Sequence, residues 1–251
     1  MKTKAIFTCT VLGIILLCSC GNKSTQNSSQ ADSATASAKD SARVSGIPCD
    51  ITLPKIHFTK AVNGADTLAK ADKNGKVTFR VGEKKDFFCD PNNKLSNNTA
   101  PILLAKVDNT RPFTFVSKVT SGFTKEGLYN AGVLYIYVND NRWQKFCFEQ
   151  DERGNHRIVT VRTIGTSDDN NHDVVTSPWV YMKISSDTHT VASYYSLDKN
   201  NWQLVRLYKN DYPAEIWMGI SSQCPVDKGT TSYFDEISLD QNSVTDFRLG
   251  N

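Results

Sequence analysis

The chain has 251 residues, of which 39% are hydrophobic and 22% are charged, and its formal net charge is +3. Lys2 and Lys4 supply two of these charges, so the rest of the chain is close to neutral. No basic cluster with interleaved aromatic residues is present, which argues against a nucleic-acid-binding protein. A chain of this length can bury a substantial hydrophobic core within one domain.

Residues 1–20 are predicted to form a lipoprotein signal peptide. Two lysines precede an apolar run that is too short to span a membrane, and a polar stretch begins at Gly21. The sequence LCSC at 17–20 resembles the bacterial lipobox, whose last cysteine becomes the lipidated first residue of the mature protein. We therefore expect a lipid on Cys20 that anchors the protein to a membrane. A cleavable signal with a chance cysteine is the alternative.

Residues 21–46 are predicted to be a disordered tether. They are rich in Ser, Ala and Asn, and Val44 is their one sizeable apolar residue, so they cannot bury enough surface to offset the entropy of ordering. No acidic run resembling a surface-export signal follows Cys20. We therefore expect a protein on the outer membrane that faces the periplasm, with surface exposure as the alternative.

Residues 47–251 are predicted to form one all-β domain. Short runs of β-branched and aromatic residues recur from residue 50 onwards, turn-forming residues separate them, and helical periodicity is nearly absent. The clearest runs include KVTFRV (76–81), AGVLYIYVN (131–139), HRIVTVRTIG (156–165) and EIWMGISS (215–222). About ten strands at this spacing indicate an antiparallel sandwich or barrel.

Four of the seven cysteines lie in this domain: Cys49, Cys89, Cys147 and Cys224. An even number in an exported protein allows one or two disulfides, among three connectivities. Buried free thiols are the alternative, particularly for Cys147 in mid-strand. None of the four forms a C-x-x-C pair, which excludes the usual redox and zinc spacings.

The segment NRWQKFCFEQ at 141–150 carries the strongest functional signal. Successive side chains of a strand point to opposite faces, so Phe146 and Phe148 share one face. The opposite face carries what we call the outer row, which consists of Trp143, Lys145, Cys147 and Glu149. With the phenylalanines in the core, the outer row is either a solvated sheet face or the floor of a binding groove.

Neighbouring strands can be phased by their larger aliphatic residues. If the aliphatic residues of LYIYV at 134–138 face the core, Tyr135 and Tyr137 lie beside the outer row. If the valines of VTV at 159–161 face the core, Arg162 shares the face of the outer row. Such a surface suits a sugar, because rings stack on its apolar face and charged groups bond its hydroxyls. Charge pairing and aromatic packing on a solvated sheet are the alternative.

An ordered set of motifs across roughly residues 50–240 resembles a family of unknown function that includes a fungal protein named for the regulation of enolase. The motifs are DFFCDP (86–91), Trp143-x-Lys145-x-x-x-Glu149, VTVR (159–162) leading to SDD (167–169), YS-x-D-x-x-x-W (195–202), and SQCP (222–225) before Phe234-Asp235. The resemblance implies a concanavalin A-like jelly-roll of two antiparallel sheets, whose concave side often holds sugars. The fold by itself implies no activity.

These patterns give three functional hypotheses. The first is a non-catalytic glycan-binding or accessory lipoprotein, with ligand-binding residues Trp143, Lys145, Glu149, Arg162, Ser167, Asp168, Asp169 and Gln223. The second is a carbohydrate-active enzyme with Glu149 as acid or base and Asp168 or Asp235 as its partner. The glucanase motifs Glu-x-Asp-x-Glu and Glu-x-Asp-x-x-Glu are incomplete here, which weakens this hypothesis. The third is an envelope protein-interaction module.

Asp169-x-Asn171-x-Asp173 has an alternation typical of calcium ligands, but the glycine and the terminal glutamate of an EF-hand are missing. A solvated acidic loop is the alternative. The four histidines show no zinc-like spacing, and no nucleophile elbow or phosphate loop is present. The sequence therefore predicts no cofactor, with calcium as the open alternative.

Overall fold

The computed structural model describes residues 44–251. The predicted signal peptide, the lipid-bearing Cys20 and nearly all of the predicted tether lie outside the described residues. Within the described part, no helix is long and apolar enough to cross a membrane.

The described chain contains seventeen strands and one short helix. The strands are β1 (Ile47–Leu53), β2 (Ile56–Val62), β3 (Ala69–Ala71), β4 (Val77–Gly82), β5 (Phe87–Cys89), β6 (Ser96–Asn98), β7 (Ile102–Asp108), β8 (Phe113–Thr120), β9 (Ala131–Asn139), β10 (Arg142–Gln150), β11 (His156–Ile164), β12 (Thr166–Val174), β13 (Trp179–Ser186), β14 (Thr190–Ser196), β15 (Gln203–Lys209), β16 (Glu215–Gln223) and β17 (Gly229–Asp240). The helix α1 (Ala65–Leu68) lies between β2 and β3.

Most strands belong to two antiparallel sheets. The eight-stranded sheet has the order β1-β2-β7-β16-β9-β10-β11-β12, and the seven-stranded sheet has the order β15-β14-β13-β8-β17-β4-β3. The remaining strands, β5 and β6, pair with each other as a hairpin. The predicted all-β sandwich of two antiparallel sheets is confirmed.

The main core lies between the two large sheets and follows the period-two pattern of the sequence. In β4, Val77, Phe79 and Val81 are buried, whereas the side chains between them are not. Phe146 and Phe148 of β10 enter the same core from the eight-stranded sheet and are fully buried. Burial of this apolar surface is the main stabilising contribution to the sandwich.

A second apolar cluster lies on the other face of the eight-stranded sheet. Phe87 of the β5–β6 hairpin packs edge-on against Tyr135, Tyr137 and Trp143, with ring centroids 6.1, 6.3 and 5.7 Å apart. Both faces of the central strands are therefore buried, and every residue of β9 is buried.

The cysteines of the described chain are all free thiols. Cys147 and Cys224 are buried, and Cys49 and Cys89 are partly buried. The alternative of unpaired cysteines therefore describes this structure.

Candidate functional site

The outer row exists as the sequence predicts. Lys145 pairs with Tyr135 across the β9–β10 ladder, and Trp143 pairs with Tyr137. These side chains share one face of the eight-stranded sheet, while Phe146 and Phe148 occupy the main core. The phase predicted for β9 and β10 is confirmed.

Trp143, however, does not line a groove. Only 1% of the residue is exposed, because Phe87 covers it, and its indole N–H donates a hydrogen bond to the backbone oxygen of Asp140 at 3.2 Å. The prediction that this ring presents a stacking surface for a ligand is wrong for this structure. The β5–β6 hairpin, which the strand pattern did not assign to this face, turns the ring into core.

Arg162 lies on the opposite face from Glu149, contrary to the prediction. In the β10–β11 register Lys145 pairs with Val161, so the valines of β11 point to the outer row. Arg162 points the other way, where its guanidinium donates to both carboxylate oxygens of Asp211 at 2.6 and 2.7 Å and lies 4.8 Å from the ring of Tyr208. Val159 and Val161 belong to the second apolar cluster. Aliphatic residues therefore did not indicate which face of β11 points to the main core.

The acidic segment after β11 is a strand, β12, and not a loop. Asp168 pairs with Arg162 in the ladder and forms an ion pair with Arg206 on that same face, so it lies away from the outer row. Ser167 is buried, and its hydroxyl accepts a hydrogen bond from the backbone N–H of Cys89 at 3.0 Å. Ser167 therefore holds the β5–β6 hairpin against the sheet. Ser167 and Asp169 both lie on the face of the outer row, Ser167 under the hairpin and Asp169 in the pocket, whereas Asp168 does not.

The calcium-like alternation is interrupted within β12. The register shifts between Arg157 and Val159, which inserts one extra residue in β12 and turns Asp173 to accept a hydrogen bond from the hydroxyl of Tyr195 at 2.7 Å. Asp173 therefore does not share the pocket with Asp169 and Asn171. No group of three or more metal-ligating side chains occurs within residues 44–251, and calcium binding stays a prediction.

A pocket of about 560 Å³ opens beside the sealed part of this face. Lys145, Glu149 and Asp169 contribute its charged floor, and the β5–β6 hairpin and three loops contribute its walls. The complete lining is Asp86, Phe88, Leu95, Asn97, Tyr129, Lys145, Glu149, Glu152, Val161, Asp169, Asn171, Pro225 and Val226.

Lys145 is buried and is held by two protein groups. Its Nζ donates to Oδ1 of Asp86 and to Oε1 of Gln223, both at 3.2 Å, and Oδ2 of Asp86 accepts from the side-chain amide of Asn97 at 3.3 Å. Burial opposes the charged form of Lys145, but the nearby carboxylate of Asp86 outweighs it and raises the pKa of the lysine. Gln223, predicted as a ligand contact, is itself buried and also donates to the hydroxyl of Tyr135. Gln223 therefore positions Lys145.

Glu149 has no such partners. The residue is only 8% exposed, and its carboxylate takes part in no hydrogen bond or ion pair among the described residues. Burial raises its pKa to about 8, although the ammonium of Lys145 acts in the opposite direction. Asp169 is more open to solvent, and its partial burial also raises its pKa. The pocket therefore holds a buried carboxyl group that forms no ion pair with any described residue.

The rim of the pocket exposes apolar side chains. Leu95 is 47% exposed, Tyr129 is 40% exposed and Val226 is 59% exposed. Tyr129 also has a φ of 63°, a conformation that costs a non-glycine residue about 1–3 kcal/mol and is enriched at functional sites. Its backbone N–H donates to the backbone oxygen of Gln150 at 2.8 Å, which fixes this conformation beside the pocket.

Several pocket residues were not predicted as site residues. Asp86 and Phe88 lie in the DFFCDP motif, so their segment could have been proposed, but nothing in it indicated that it folds over β10. Tyr129 and Val226 lie in loops, where no periodicity indicates which way a side chain points. Asp235, predicted as a partner for Glu149, belongs to β17 of the seven-stranded sheet and does not line the pocket.

Comparison with known proteins gives a family and a fold. A family model described as "Protein of unknown function (DUF1349)" matches residues 65–242. No curated protein matches the chain. The crystal structure of a functionally unknown protein from Saccharomyces cerevisiae is similar, with a TM-score of 0.65 and 22% identity, over 74% of this chain and 97% of that one.

Two GH43 structures share the fold over part of their length. They are a mutant of the GH43 protein BlXynB from Bacillus licheniformis (TM-score 0.57, 13% identity) and GH43B of the Bacteroides ovatus xyloglucan PUL (TM-score 0.58, 11% identity). Each match covers 77% of this chain and 38% of the GH43 chain. At these identities the likeness shows the β-sandwich fold alone.

Proposed function

Because the chain belongs to the DUF1349 family, whose function is unknown, its role has to be inferred from the pocket, and we propose that it is a non-catalytic glycan-binding protein. The observation that carries this proposal is the pocket itself, which combines a charged floor at Lys145, Glu149 and Asp169 with an apolar rim. Sugars present C–H faces that pack on aromatic and aliphatic side chains, and hydroxyls that bond charged and amide groups.

The size and chemistry of the pocket support a small ligand. Its volume of about 560 Å³ lies within the range of about 300–1,000 Å³ that is typical of ligand sites. Phe88 and Tyr129 provide rings, and Asn97 and Asn171 provide amides, along the lining of the pocket. Lys145 and Asp86 are already held by protein groups, so the floor is preorganised and needs little rearrangement on binding.

A second candidate function is carbohydrate hydrolysis or elimination with Glu149 as the general acid. The raised pKa of Glu149 keeps its proton available near neutral pH, and Asp169 lies in the same pocket as a second carboxyl group. Asp169 thereby replaces Asp168 and Asp235 as the partner of Glu149 in this hypothesis.

The experiment is a titration of the full chain by calorimetry with a panel of oligosaccharides, alongside an assay for released reducing ends or unsaturated products. We expect binding without turnover, and weakening of about tenfold or more in Tyr129→Ala. Glu215→Gln is the matched control, because Glu215 is exposed, pairs with Lys106, and begins the strand whose far end reaches Gln223. Absence of binding to every oligosaccharide at millimolar concentration would overturn the proposal. Turnover that is lost in Glu149→Gln would establish the enzyme in its place.

The membrane anchor is part of the proposed function. We propose that a lipid on Cys20 holds the pocket at the outer membrane, facing the periplasm, where it can meet envelope or imported glycans. Cys20→Ala should move the protein from the membrane fraction to the soluble fraction without changing its affinity for a glycan. If the variant stays with the membrane, the anchor lies elsewhere.

A further inference from the structure

The charge of the pocket indicates which glycans it accepts. Four carboxyl groups line it, those of Asp86, Glu149, Glu152 and Asp169, against the single ammonium of Lys145. Lys145 is already paired with Asp86 at 3.2 Å, so these two charges offset each other. The groups left for a ligand are the carboxyls of Glu149, Glu152 and Asp169, and Glu149 carries a charge only once it has released its proton.

Glu149 is the decisive member, because it is buried, lines the pocket and has no hydrogen-bond or ion-pair partner among residues 44–251. A buried carboxylate without a counter-charge is strongly disfavoured, whereas a paired one is tolerated. Among the described residues that line the pocket, Lys145 is the only basic one. A cation brought by the ligand would fill that position.

The groups around Glu149 all favour this polarity. On β10 it is accompanied by Lys145 and by the thiol of Cys147, and Asp169 faces it from β12. Asp86 reaches it from the segment before β5, and Asp151 follows it in the turn after β10. Arg157 of β11 pairs with Glu149 across the ladder, but its guanidinium donates to Asp151 at 3.0 Å and to the backbone oxygen of His172 at 2.6 Å. Apart from Lys145 and this engaged arginine, the groups around Glu149 are acidic or neutral, so an anionic ligand meets net repulsion.

The rim can also receive a cation. The Nζ of Lys145 already lies 5.8 Å from the ring of Phe88, which shows that the aromatic wall of the pocket accommodates an ammonium group. Tyr129 offers a second, half-exposed ring on the same pocket. Leu95 and Val226 remain to cover the apolar face of a sugar.

We propose that the pocket selects glycans that carry a free amino group, with the ammonium of the sugar paired to Glu149 and Asp169. This inference rests on the proposed glycan-binding function and assigns its ligand class. N-acetylation removes the charge and should weaken binding, and a uronic acid should be rejected. Glu149 is protonated in the empty pocket near neutral pH, and binding of an ammonium ion would release that proton.

Calorimetry on the full chain at about pH 7 tests this, with glucosamine oligomers, the same oligomers N-acetylated, and oligogalacturonate as probes. We expect the amino form to bind roughly tenfold or more tightly than the acetylated form. In two buffers of different ionisation enthalpy, the measured heats should report release of up to about one proton per site. Glu149→Gln should abolish both the preference and the proton release, and Glu215→Gln should leave both intact.

The outcomes separate this inference from the function on which it rests. Equal or tighter binding of acetylated or acidic oligomers overturns the charge selection and leaves glycan binding in place. If no oligomer binds, both proposals fail. If spermidine, an amine without a sugar, binds as tightly as the glucosamine oligomer, the cation site stands and the glycan-binding function falls.

Discussion

Replacing Glu149 with glutamine should stabilise the empty protein, and the gain should grow with pH. In the folded protein burial raises the pKa of Glu149 from 4.5 to about 8. Below the lower value both the folded and the unfolded chain carry a neutral carboxyl group, so its ionisation costs nothing. As the pH rises from there, the unfolded chain ionises first, and stability falls until the folded pKa is passed.

The magnitude follows from these two pKa values. One unit of difference corresponds to about 1.4 kcal/mol, so the carboxyl group costs at most about 3 kcal/mol at pH 7 and about 5 kcal/mol above pH 8. Glutamine has nearly the same shape and cannot ionise, so the variant avoids this cost. For a chain of this size about 3 kcal/mol corresponds to a rise in Tm of about 6–12 °C.

Urea denaturation of both proteins at about pH 5, 7 and 9 measures the effect, with Glu215→Gln as the matched control. Glu215 is exposed and forms a surface ion pair with Lys106, so its replacement should change the free energy of unfolding by at most about 1 kcal/mol, with no comparable trend in pH. Equal stability of Glu149→Gln and the parent chain at all three pH values, or a loss of stability at pH 9, would refute the reasoning. It would mean that the folded protein solvates this carboxylate.

Three further substitutions separate structural from binding roles. Trp143→Ala should lose about 3–5 kcal/mol of stability in chemical denaturation, because a buried ring is removed, and Trp143→Phe should lose less; an unchanged unfolding midpoint would contradict this burial. Lys145→Met leaves the carboxylate of Asp86 buried without a counter-charge and should cost about 3–5 kcal/mol, of which Asp86→Asn in the same chain should restore a part. Tyr129→Gly relieves a φ of 63° and should change stability by no more than about 1–2 kcal/mol in either direction. Calorimetry should nevertheless show glycan binding weakened about tenfold in this variant, since the ring is lost.

The sequence predicted the fold well because strands in this chain carry strong local signals. Alternation in β4, where Val77, Phe79 and Val81 are buried, needs only one apolar face to be recognised. The phase of β10 was also predictable, since Phe146 and Phe148 share one face and polar groups share the other. Period-two geometry suffices wherever the two faces of a strand differ in chemistry.

The same reasoning failed where both faces of a strand are apolar. In β11, Ile158 faces the main core, and Val159 and Val161 face the second apolar cluster. Aliphatic residues thus occur on both sides, and their positions cannot decide which side is the main core. Arg162 was assigned to the wrong face for this reason. Its true position depends on Asp211 and Tyr208, which are distant in sequence and share no motif with it.

The placement of Trp143 failed for a different reason, which is tertiary. Its face of the sheet is open or closed according to where the β5–β6 hairpin folds. That choice depends on long-range contacts, such as Phe87 on Trp143 and the Cys89 N–H on the hydroxyl of Ser167. A residue pattern within β10 contains no information about either contact.

The hairpin also explains why the pocket has unusual electrostatics. Consecutive side chains of β5 point in opposite directions, so Phe87 enters the second apolar cluster while Phe88 lines the pocket. Asp86, directly before β5, pairs with Lys145. By closing one half of the sheet face, the hairpin removes water from the floor of the other half. Asp86, which precedes β5 and is the acidic residue that this segment places in the pocket, pairs with Lys145. Glu149 therefore forms no ion pair with a described residue. The unpaired state of Glu149 is therefore a consequence of how the hairpin seals the apolar half of this face. A chain without the hairpin would lose the wall of the pocket, and it would also lose the burial that raises the pKa of Glu149.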